Sequence, residues 1–427
     1  MLDLNRRLGA EEIAVVLLMF AFSVMSYFDR TIMSIAGPQI MKEFSIPPTS
    51  MGSVYSAFIL SYAILMTPGG WVADRLGPRM TLLLMGLGSA LFTALTVAGG
   101  SHAITQWIGV VPTLWVIRLA LGAVTAPLYP ACARMCAQRI PVIHHARTQA
   151  FIIAGSSLGG AVSPILFSWM MAQLQWRKSF YLAALATALL AVIWIVAVKD
   201  RGNKLAEKRV HAPILKSWIT LLRNRNLALL TLAYFTLGYF EYIFFYWIYY
   251  YFGEVRQVGY AASARYTTAV FLTMMVMMPL GGWVSDRLTK SYGPRFGRRV
   301  VPITGLTSGA ILLCVATLTP SIPLTAVLLS LAIGFTSVCE GPFWSLTIEI
   351  GGDDVGSAGG ILNTGGNVGG FFAPVLTPLI ASYFGWSWGL YSGSLMVIAG
   401  AVACYFVDLK RTKLPGVPSL LTSPEAL

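Results

Sequence analysis

The chain has 427 residues, 56% of them hydrophobic and only 11% charged, with a net charge of +13. A soluble chain of this length carries about 25% charged residues, so this one lacks the polar groups to cover a water-facing surface and must use lipid as solvent. Long apolar runs make helices the expected spanning element. The five cysteines, Cys132, Cys136, Cys314, Cys339 and Cys404, all fall in apolar runs and are odd in number, which excludes a disulfide framework and offers no metal-ligand spacing.

Twelve spans are expected, at residues 13–37, 51–73, 80–99, 110–133, 148–171, 179–198, 226–252, 266–285, 300–318, 322–348, 357–382 and 387–407. The segment Met1 to Glu12 is charged, and the apolar run after it is too long for a signal and lacks a small-residue cleavage site, so no cleavable signal is expected. With the N-terminus in the cytoplasm, the cytoplasmic segments hold 23 of the 30 Lys and Arg. The opposite side holds Lys42, Arg177, Lys178, Arg256 and Arg265. This asymmetry is what the positive-inside rule demands of a multi-pass plasma membrane protein with both termini cytoplasmic. The basic balance therefore reports orientation, and no nucleic acid partner is expected. The four histidines, His102, His144, His145 and His211, lie in expected loops, which argues against a histidine proton relay.

Span 1 carries Tyr27-Phe28-Asp29 followed by Arg30, about eight residues short of an expected outer end at Gly37-Pro38. An ionised carboxylate at membrane depth is costly, so it is paired, protonated or water-lined, and it marks a functional candidate. Span 2 ends in Gly69-Gly70-Trp71-Val72-Ala73-Asp74-Arg75-Leu76-Gly77-Pro78-Arg79, a short charged turn into span 3. Span 4 carries Arg118 and then Thr125-Ala126-Pro127. Span 5 holds Gly155-Ser156-Ser157-Leu158-Gly159-Gly160 and Pro164; such glycines permit close helix approach. Residues 199–225 form a basic linker with eight Lys and Arg, either a plain solvated connector or a segment lying on the inner leaflet.

The second half repeats the first. Tyr239-Phe240-Glu241 copies Tyr27-Phe28-Asp29 at an offset of 212, and Gly281-Gly282-Trp283-Val284-Ser285-Asp286-Arg287-Leu288 copies Gly69 to Leu76 at the same offset. Gly365-Gly366-Asn367-Val368-Gly369-Gly370 with Pro374 copies the span 5 run at an offset of 210, as Trp386 and Tyr391 copy Trp176 and Tyr181. Glu340-Gly341-Pro342 overlies Thr125-Ala126-Pro127 at 215. Six spans per half put both halves in one orientation, so the repeat axis lies along the membrane normal, with a site between the halves near mid-membrane. The fold class expected is an all-α membrane protein: twelve transmembrane helices in two pseudo-symmetric six-helix bundles, residues 1–198 and 226–410, joined by the linker and followed by a cytoplasmic tail, 411–427.

The Gly–xx–Asp-Arg–x-Gly–x-Arg loop between spans 2 and 3, its degraded copy between spans 8 and 9, the span count and the repeat together resemble the major facilitator superfamily. In the second copy, Thr289 to Arg299 inserts residues before the final basic pair Arg298-Arg299. Within the superfamily, Tyr27 to Arg30, Ser56-Ala57-Phe58 with Tyr62, Arg118 with Ala126-Pro127, and Asn363-Thr364-Gly365-Gly366-Asn367 resemble the anion:cation symporters, which carry sugar acids and other organic anions with protons. The resemblance implies that Asp29 and Arg30, Arg118 and Tyr62 surround the anion. It also implies a proton-coupling glutamate one residue before the span 4 Ala-Pro; that position is Thr125 here, and its counterpart in the other half is Glu340. Either the carboxylate has moved across the pseudo-twofold axis or coupling rests on Asp29 and Glu241.

Arg118 lies about eight residues from the outer end of span 4, so at ~1.5 Å per residue it shares a depth with Arg30. Two guanidiniums facing a cavity make a permanent, planar clamp for a carboxylate. One of Arg30 and Arg118 is expected to bind substrate while the other pairs with Asp29 until it is protonated, the bland alternative being that Arg118 is only a static partner of Asp29. Asp29, Glu241 and Glu340 are the deep carboxylates and the proton-coupling candidates. Tyr239, Tyr242, Tyr246 and Tyr250 share one face of span 7, and Tyr242 and Tyr246 are expected to line the cavity. Asn363 and Asn367, at i and i+4, are candidate ligand contacts, and Trp344 is expected to stack on the substrate. Asp74, Arg75 and Arg79, and Asp286 and Arg287, are expected to latch the cytoplasmic ends of the spans.

Proton-coupled uptake of an organic anion is therefore expected, by a functional monomer in a bilayer of the bacterial inner-membrane type. A sugar acid such as a hexuronate or aldonate is favoured. The alternatives are an anion exchanger or exporter of the same fold and, with less support, a transport-dead sensor. No enzyme motif, Walker loop or cofactor signature appears.

Overall fold

The structure is a computed structural model that describes residues 8–101, 106–141, 144–199, 221, 223–351 and 355–407. Most of the expected linker, the tail beyond residue 407, His102 and His211 lie outside the described residues. The helices are α1 (Ala10–Phe44), α2 (Pro48–Leu76), α3 (Pro78–Leu95), α4 (Val110–Thr125), α5 (Leu128–Arg139) and α6 (His145–Ala197), then α7 (Arg225–Tyr250), α8 (Tyr260–Tyr292), α9 (Pro294–Leu318), α10 (Ile322–Ser337), α11 (Glu340–Gly351), α12 (Val355–Phe384) and α13 (Trp386–Tyr405).

Eleven helical segments among the described residues are long and apolar enough to cross a membrane. One of them, Thr148–Ala197, runs for 50 residues, about 75 Å of helix against a hydrocarbon core of about 30 Å. It turns back at Gln175, where φ is 64° and ψ is 160°. It therefore crosses twice, and the spans among the described residues number twelve. The repeat puts Gly385 at the equivalent turn between α12 and α13, with φ 88°. A residue with a side chain thus holds a backbone conformation that its counterpart reaches freely as glycine.

Three boundaries differ from expectation. Helix α1 does not stop at Gly37-Pro38 but continues to Phe44 with Pro38 inside it. Gly37 has no side chain and so leaves room for the Tyr55 hydroxyl against it; neighbouring helices keep such interior prolines tolerable in a membrane. Spans 4 and 10 are each broken. The first is interrupted at Ala126 and Pro127, between α4 and α5, and the second at Val338 and Cys339, between α10 and α11. Pro127 withholds an N–H from the helix, and interrupted helices of this kind expose backbone toward a site between repeats.

Within the first half α1 lies along α6 and α2 along α4; within the second, α7 lies along α12 and α8 along α10. The glycine runs make the first pairings possible. A Cβ at Gly159 would collide with the Val24 carbonyl, and one at Gly369 with the Phe235 carbonyl. The halves meet through α2 with α12, α6 with α8, and α1 with α7. One apolar core, from Phe28 through Tyr55 to Tyr246 and Trp247, spans both halves near the α1–α2 connection. The core at the opposite face, from Val15 to Val198, contains first-half residues only. The halves thus share an apolar core at one end, and at the face where α1 begins the first half keeps a core of its own. Outward-facing Leu182, Leu185, Leu189, Val192 and Val196 are exposed, a stripe that lipid accommodates and water does not.

Candidate functional site

Arg30 on α1 and Tyr242 on α7 occupy equivalent positions of the repeat, 212 residues apart, and they touch: Arg30 Nη2 donates to the Tyr242 hydroxyl. Residues related by a twofold axis that contact each other sit at that axis. Arg30 Nε also donates to the Tyr246 hydroxyl at 3.5 Å. Its guanidinium carbon lies 5.3, 5.0, 5.6 and 4.7 Å from the rings of Tyr27, Phe58, Tyr62 and Tyr242. Aromatic faces offset part of the cost of holding a cation away from water. Among the described residues no carboxylate lies within ion-pair distance of Arg30.

A polar chain leads away from this cage. The Tyr242 hydroxyl donates to Asn367 Oδ1 at 3.4 Å, Asn367 Nδ2 to the Asn363 carbonyl at 2.9 Å, and Asn363 Nδ2 to Met66 Sδ at 3.0 Å. The chain crosses from α1 to α7 to α12 and returns to the first half at α2. Tyr62 stacks on Phe58 with ring centroids 5.8 Å apart, and Tyr246 stacks on Tyr55 at 5.0 Å. Tyr239, expected on the same face, instead pairs with Ser392 on α13 at 3.0 Å. Tyr250 packs on Trp247 and Trp386.

Arg118 shares the depth of Arg30 as expected, but its partners differ from those expected. It is fully buried, and its Nη1 and Nη2 donate to the backbone carbonyls of Asp29 and Arg30 at 3.4 and 2.9 Å. The Phe58 ring lies 5.0 Å from its guanidinium carbon, so the two arginines share one aromatic neighbour. The Asp29 carboxylate pairs with neither of them. Consecutive helix positions diverge by about 100°, and Asp29 turns to α6, where Thr187 Oγ1 donates to its Oδ2 at 2.9 Å. Asp29 Oδ1 is buried without a hydrogen-bond partner.

The other two deep carboxylates form a separate cluster in the second half. Tyr234 donates to Glu340 Oε2 at 3.1 Å, and the Trp344 ring stands edge-on to Tyr234 at 6.4 Å. Glu241 lies two helix turns along α7 from Tyr234, 8% exposed, with Oε1 unpartnered and within electrostatic range of Glu340. Trp344 therefore accompanies the acids rather than the arginines. Thr125, at the position matching Glu340, donates to the Leu121 and Gly122 carbonyls of its own helix.

The charged turns are tied within each half. Asp74 pairs with Arg134 of α5 at 3.4 Å. Arg79 Nη2 donates to the Ile195 carbonyl at 2.7 Å and its Nε to the Val198 carbonyl, which caps the end of α6. In the second half, the position matching Arg134 is Glu349. There Arg298 from the inserted stretch bridges Asp286 at 2.8 Å and Glu349 at 3.1 Å, and Arg299 donates to the Tyr405 carbonyl at the end of α13. The insertion thus supplies both duties: Arg299 acts as Arg79 does, and Arg298 replaces the cation lost at Glu349. Arg75 and Arg287 lie over the rings of Trp71 and Trp283, at 4.2 and 5.6 Å.

The sequence matches the family model described as Major Facilitator Superfamily over residues 19–350, and again over 267–421. The chain belongs to the Major Facilitator Superfamily. Among its relatives in this superfamily is a probable sulfoacetate transporter from Cupriavidus necator, 28% identical over 90% of this chain and 91% of that one. Another is a hexuronate transporter from Bacillus subtilis, 27% identical over 93% and 95%. The crystal structure of a bacterial homolog to the human lysosomal transporter Spinster, inward-facing and unoccupied, superposes with a TM-score of 0.80 over 96% of this chain and 100% of that one, at 14% identity. The superfamily fold, the transporter class and the sugar-acid and organic-anion character of the relatives all agree with expectation. Sequence reasoning missed Thr187, Tyr234, Met66 and Arg134 as partners. Thr187 is a lone hydroxyl in an apolar run, and Tyr234 precedes Glu241 by seven, the spacing of one helix face.

Proposed function

We propose that the chain is a proton-coupled symporter of a carboxylate-bearing organic anion, a sugar acid such as a hexuronate or aldonate, working by alternating access as a monomer with both termini in the cytoplasm. The observation that carries this reading is Arg30, a permanent cation on the axis between the halves. It is caged by four rings and held by neutral tyrosine hydroxyls rather than by an acid. A buried charge without a counter-ion is costly, and an anionic cargo supplies the missing partner. The planar fork matches a carboxylate, and the hydroxyls and amides of Tyr242, Tyr246, Asn363 and Asn367 suit the sugar hydroxyls. Relatives named for sulfoacetate and hexuronate support an acidic cargo. A shared core at the α1–α2 end and a first-half core at the α1 face support an inward-open state.

Proton coupling needs carboxyls that change protonation as the cavity opens to one side and then the other. Desolvation favours the neutral carboxyl, a nearby guanidinium the ionised one and a nearby carboxylate again the neutral one. Asp29 has Arg118 nearby, whereas Glu241 and Glu340 lie near each other without a guanidinium beside them among the described residues. The test is uptake of labelled hexuronate into proteoliposomes with an imposed pH gradient. Accumulation above equilibrium that disappears with a protonophore is expected. Uptake indifferent to the protonophore but dependent on internal anion means exchange, and no uptake of any sugar acid or short carboxylate means that the cargo class is wrong.

A further inference from the structure

Two hydroxyls close the packed end of the molecule by reaching across the interface between the halves. Ser56 on α2 donates to the Phe371 carbonyl of α12 at 2.7 Å. Thr268 on α8 donates to the Ala161 carbonyl of α6 at 2.9 Å. Ser56 and Thr268 are 212 residues apart, and Ala161 and Phe371 are 210 apart, the two offsets of the repeat. The bonds are thus one contact made twice, once on each side of the pseudo-twofold axis. Both donors are buried, at 1% and 8% exposure.

The acceptors share a local cause. Phe371 stands three residues before Pro374 and Ala161 three before Pro164, both prolines inside helices. A proline withholds the N–H that would bond the carbonyl four residues back, here Gly370 and Gly160, and its ring kinks the ladder at that turn, which tilts the adjoining carbonyl, Phe371 or Ala161, toward an outside donor. Beside Phe371, the Pro374 carbonyl loses its helical donor to Pro378, and the Trp247 indole N–H fills that place at 3.1 Å. Other cross-interface hydroxyl contacts are not repeated: Ser34 donates to the Phe245 carbonyl and Ser168 pairs with Tyr249, but the positions matching Ser34 and Ser168 are Tyr246 and Pro378.

From this geometry we infer that Ser56 and Thr268 are a matched pair of latches on proline-kinked helices, and that together they hold the α1–α2 end closed and set the balance between the two access states. A rocking of one half against the other breaks both bonds in the same motion, so their contributions add in the one equilibrium. This rests on the alternating-access reading but not on the identity of the cargo.

The test reads opening directly, without substrate. A reporter cysteine, Met66→Cys, sits behind the closed end and is titrated in whole cells with a membrane-impermeant maleimide added outside, against the parent chain as the blank for the five native cysteines. Removing one latch, by Ser56→Ala or Thr268→Val, raises the labelling rate roughly fivefold, the size of one net hydrogen bond. Removing both raises it roughly 25-fold. Ser56→Thr and Thr268→Ser keep the hydroxyl and leave the rate near the parent's. Ser53→Ala removes a hydroxyl bonded only to the Ser50 carbonyl of its own helix and also leaves it unchanged. An unchanged rate in the double variant overturns the inference, as does an equal rise in Ser53→Ala or in the hydroxyl-retaining variants. Because no anion is present, a wrong cargo leaves this result standing, and a failed latch leaves the uptake assay standing.

Discussion

Arg30→Lys keeps the charge at the axis and removes the fork. The guanidinium now engages two tyrosine hydroxyls and lies 4.7 to 5.6 Å from four rings. A lysine ammonium reaches this cage as a point charge and offers a carboxylate one direction of approach instead of two parallel ones. A charge-assisted hydrogen bond in such a setting contributes about 1.5–3 kcal/mol, so losing the second arm of a bidentate pair weakens binding roughly 10- to 100-fold. Binding of a hexuronate to the purified protein, read as a ligand-induced rise in Tm and as Kd by equilibrium dialysis, measures this directly. Arg118→Lys is the contrasting variant. Arg118 turns its Nη1 and Nη2 to the Asp29 and Arg30 carbonyls and leaves Nε buried without a hydrogen-bond partner, so its replacement strands buried acceptors and lowers Tm of the unliganded protein more than it changes affinity. A Kd within threefold of the parent for Arg30→Lys, in a protein whose unliganded melt is unchanged, refutes the assignment of the carboxylate to Arg30.

Three further outcomes are expected. Asp29→Asn keeps an oxygen for the Thr187 hydroxyl but cannot ionise; it abolishes accumulation driven by a pH gradient and leaves counterflow partly intact, and normal accumulation in this variant makes Asp29 structural. Arg298→Ala leaves Asp286 and Glu349 facing each other without their shared cation and lowers Tm, while Glu349→Gln added to it restores part of the loss; the pairing with the less exposed Glu349 contributes on the order of 1 kcal/mol. Gln175→Gly relieves a positive-φ turn worth on the order of 1 kcal/mol and raises Tm in a thermal melt, whereas an unchanged or lower Tm shows that the Gln175 side chain compensates for its backbone.

The architecture was legible because lipid and the repeat constrain it twice over. Composition left no soluble alternative, and the offsets of 212 and 210 placed helices, glycine contacts and the charged turns in register before any geometry was known. The offset also carried information about the site: residues equivalent under a twofold axis either face each other across it or lie far apart, and Arg30 with Tyr242 is the first case. Depth followed from residue counts, which is why Arg118 lies level with Arg30. Direction did not follow. Asp29 and Arg30 are neighbours in sequence, yet about 100° of helix rotation sends one to Thr187 and the other to the axis, and no count of residues along a span distinguishes pairing from turning away. Trp344 misled for the same reason: it lies at a plausible depth, but the break before Glu340 turns α11 so that its ring meets Tyr234.

The charged turns carry the point furthest. The insertion after Asp286 looked in sequence like decay of the second copy, because the motif's spacing was lost. In space the spacing is immaterial. What the fold requires is a cation between α8 and α11 and a cap on the last turn of α13, and the added residues return Arg298 and Arg299 to those two places. Glu349, at the position of Arg134, reverses the sign of the half's own partner. Such a reversal is tolerable only if a cation arrives from elsewhere, since two carboxylates facing each other repel. The insertion and the reversal therefore depend on each other. Shortening the Thr289 to Arg299 stretch to the first-half length is expected to lower Tm in the parent, and to lower it less when Glu349 is replaced by Arg, the first half's own solution. Equal losses in the two backgrounds would mean that the inserted residues serve some purpose other than placing Arg298.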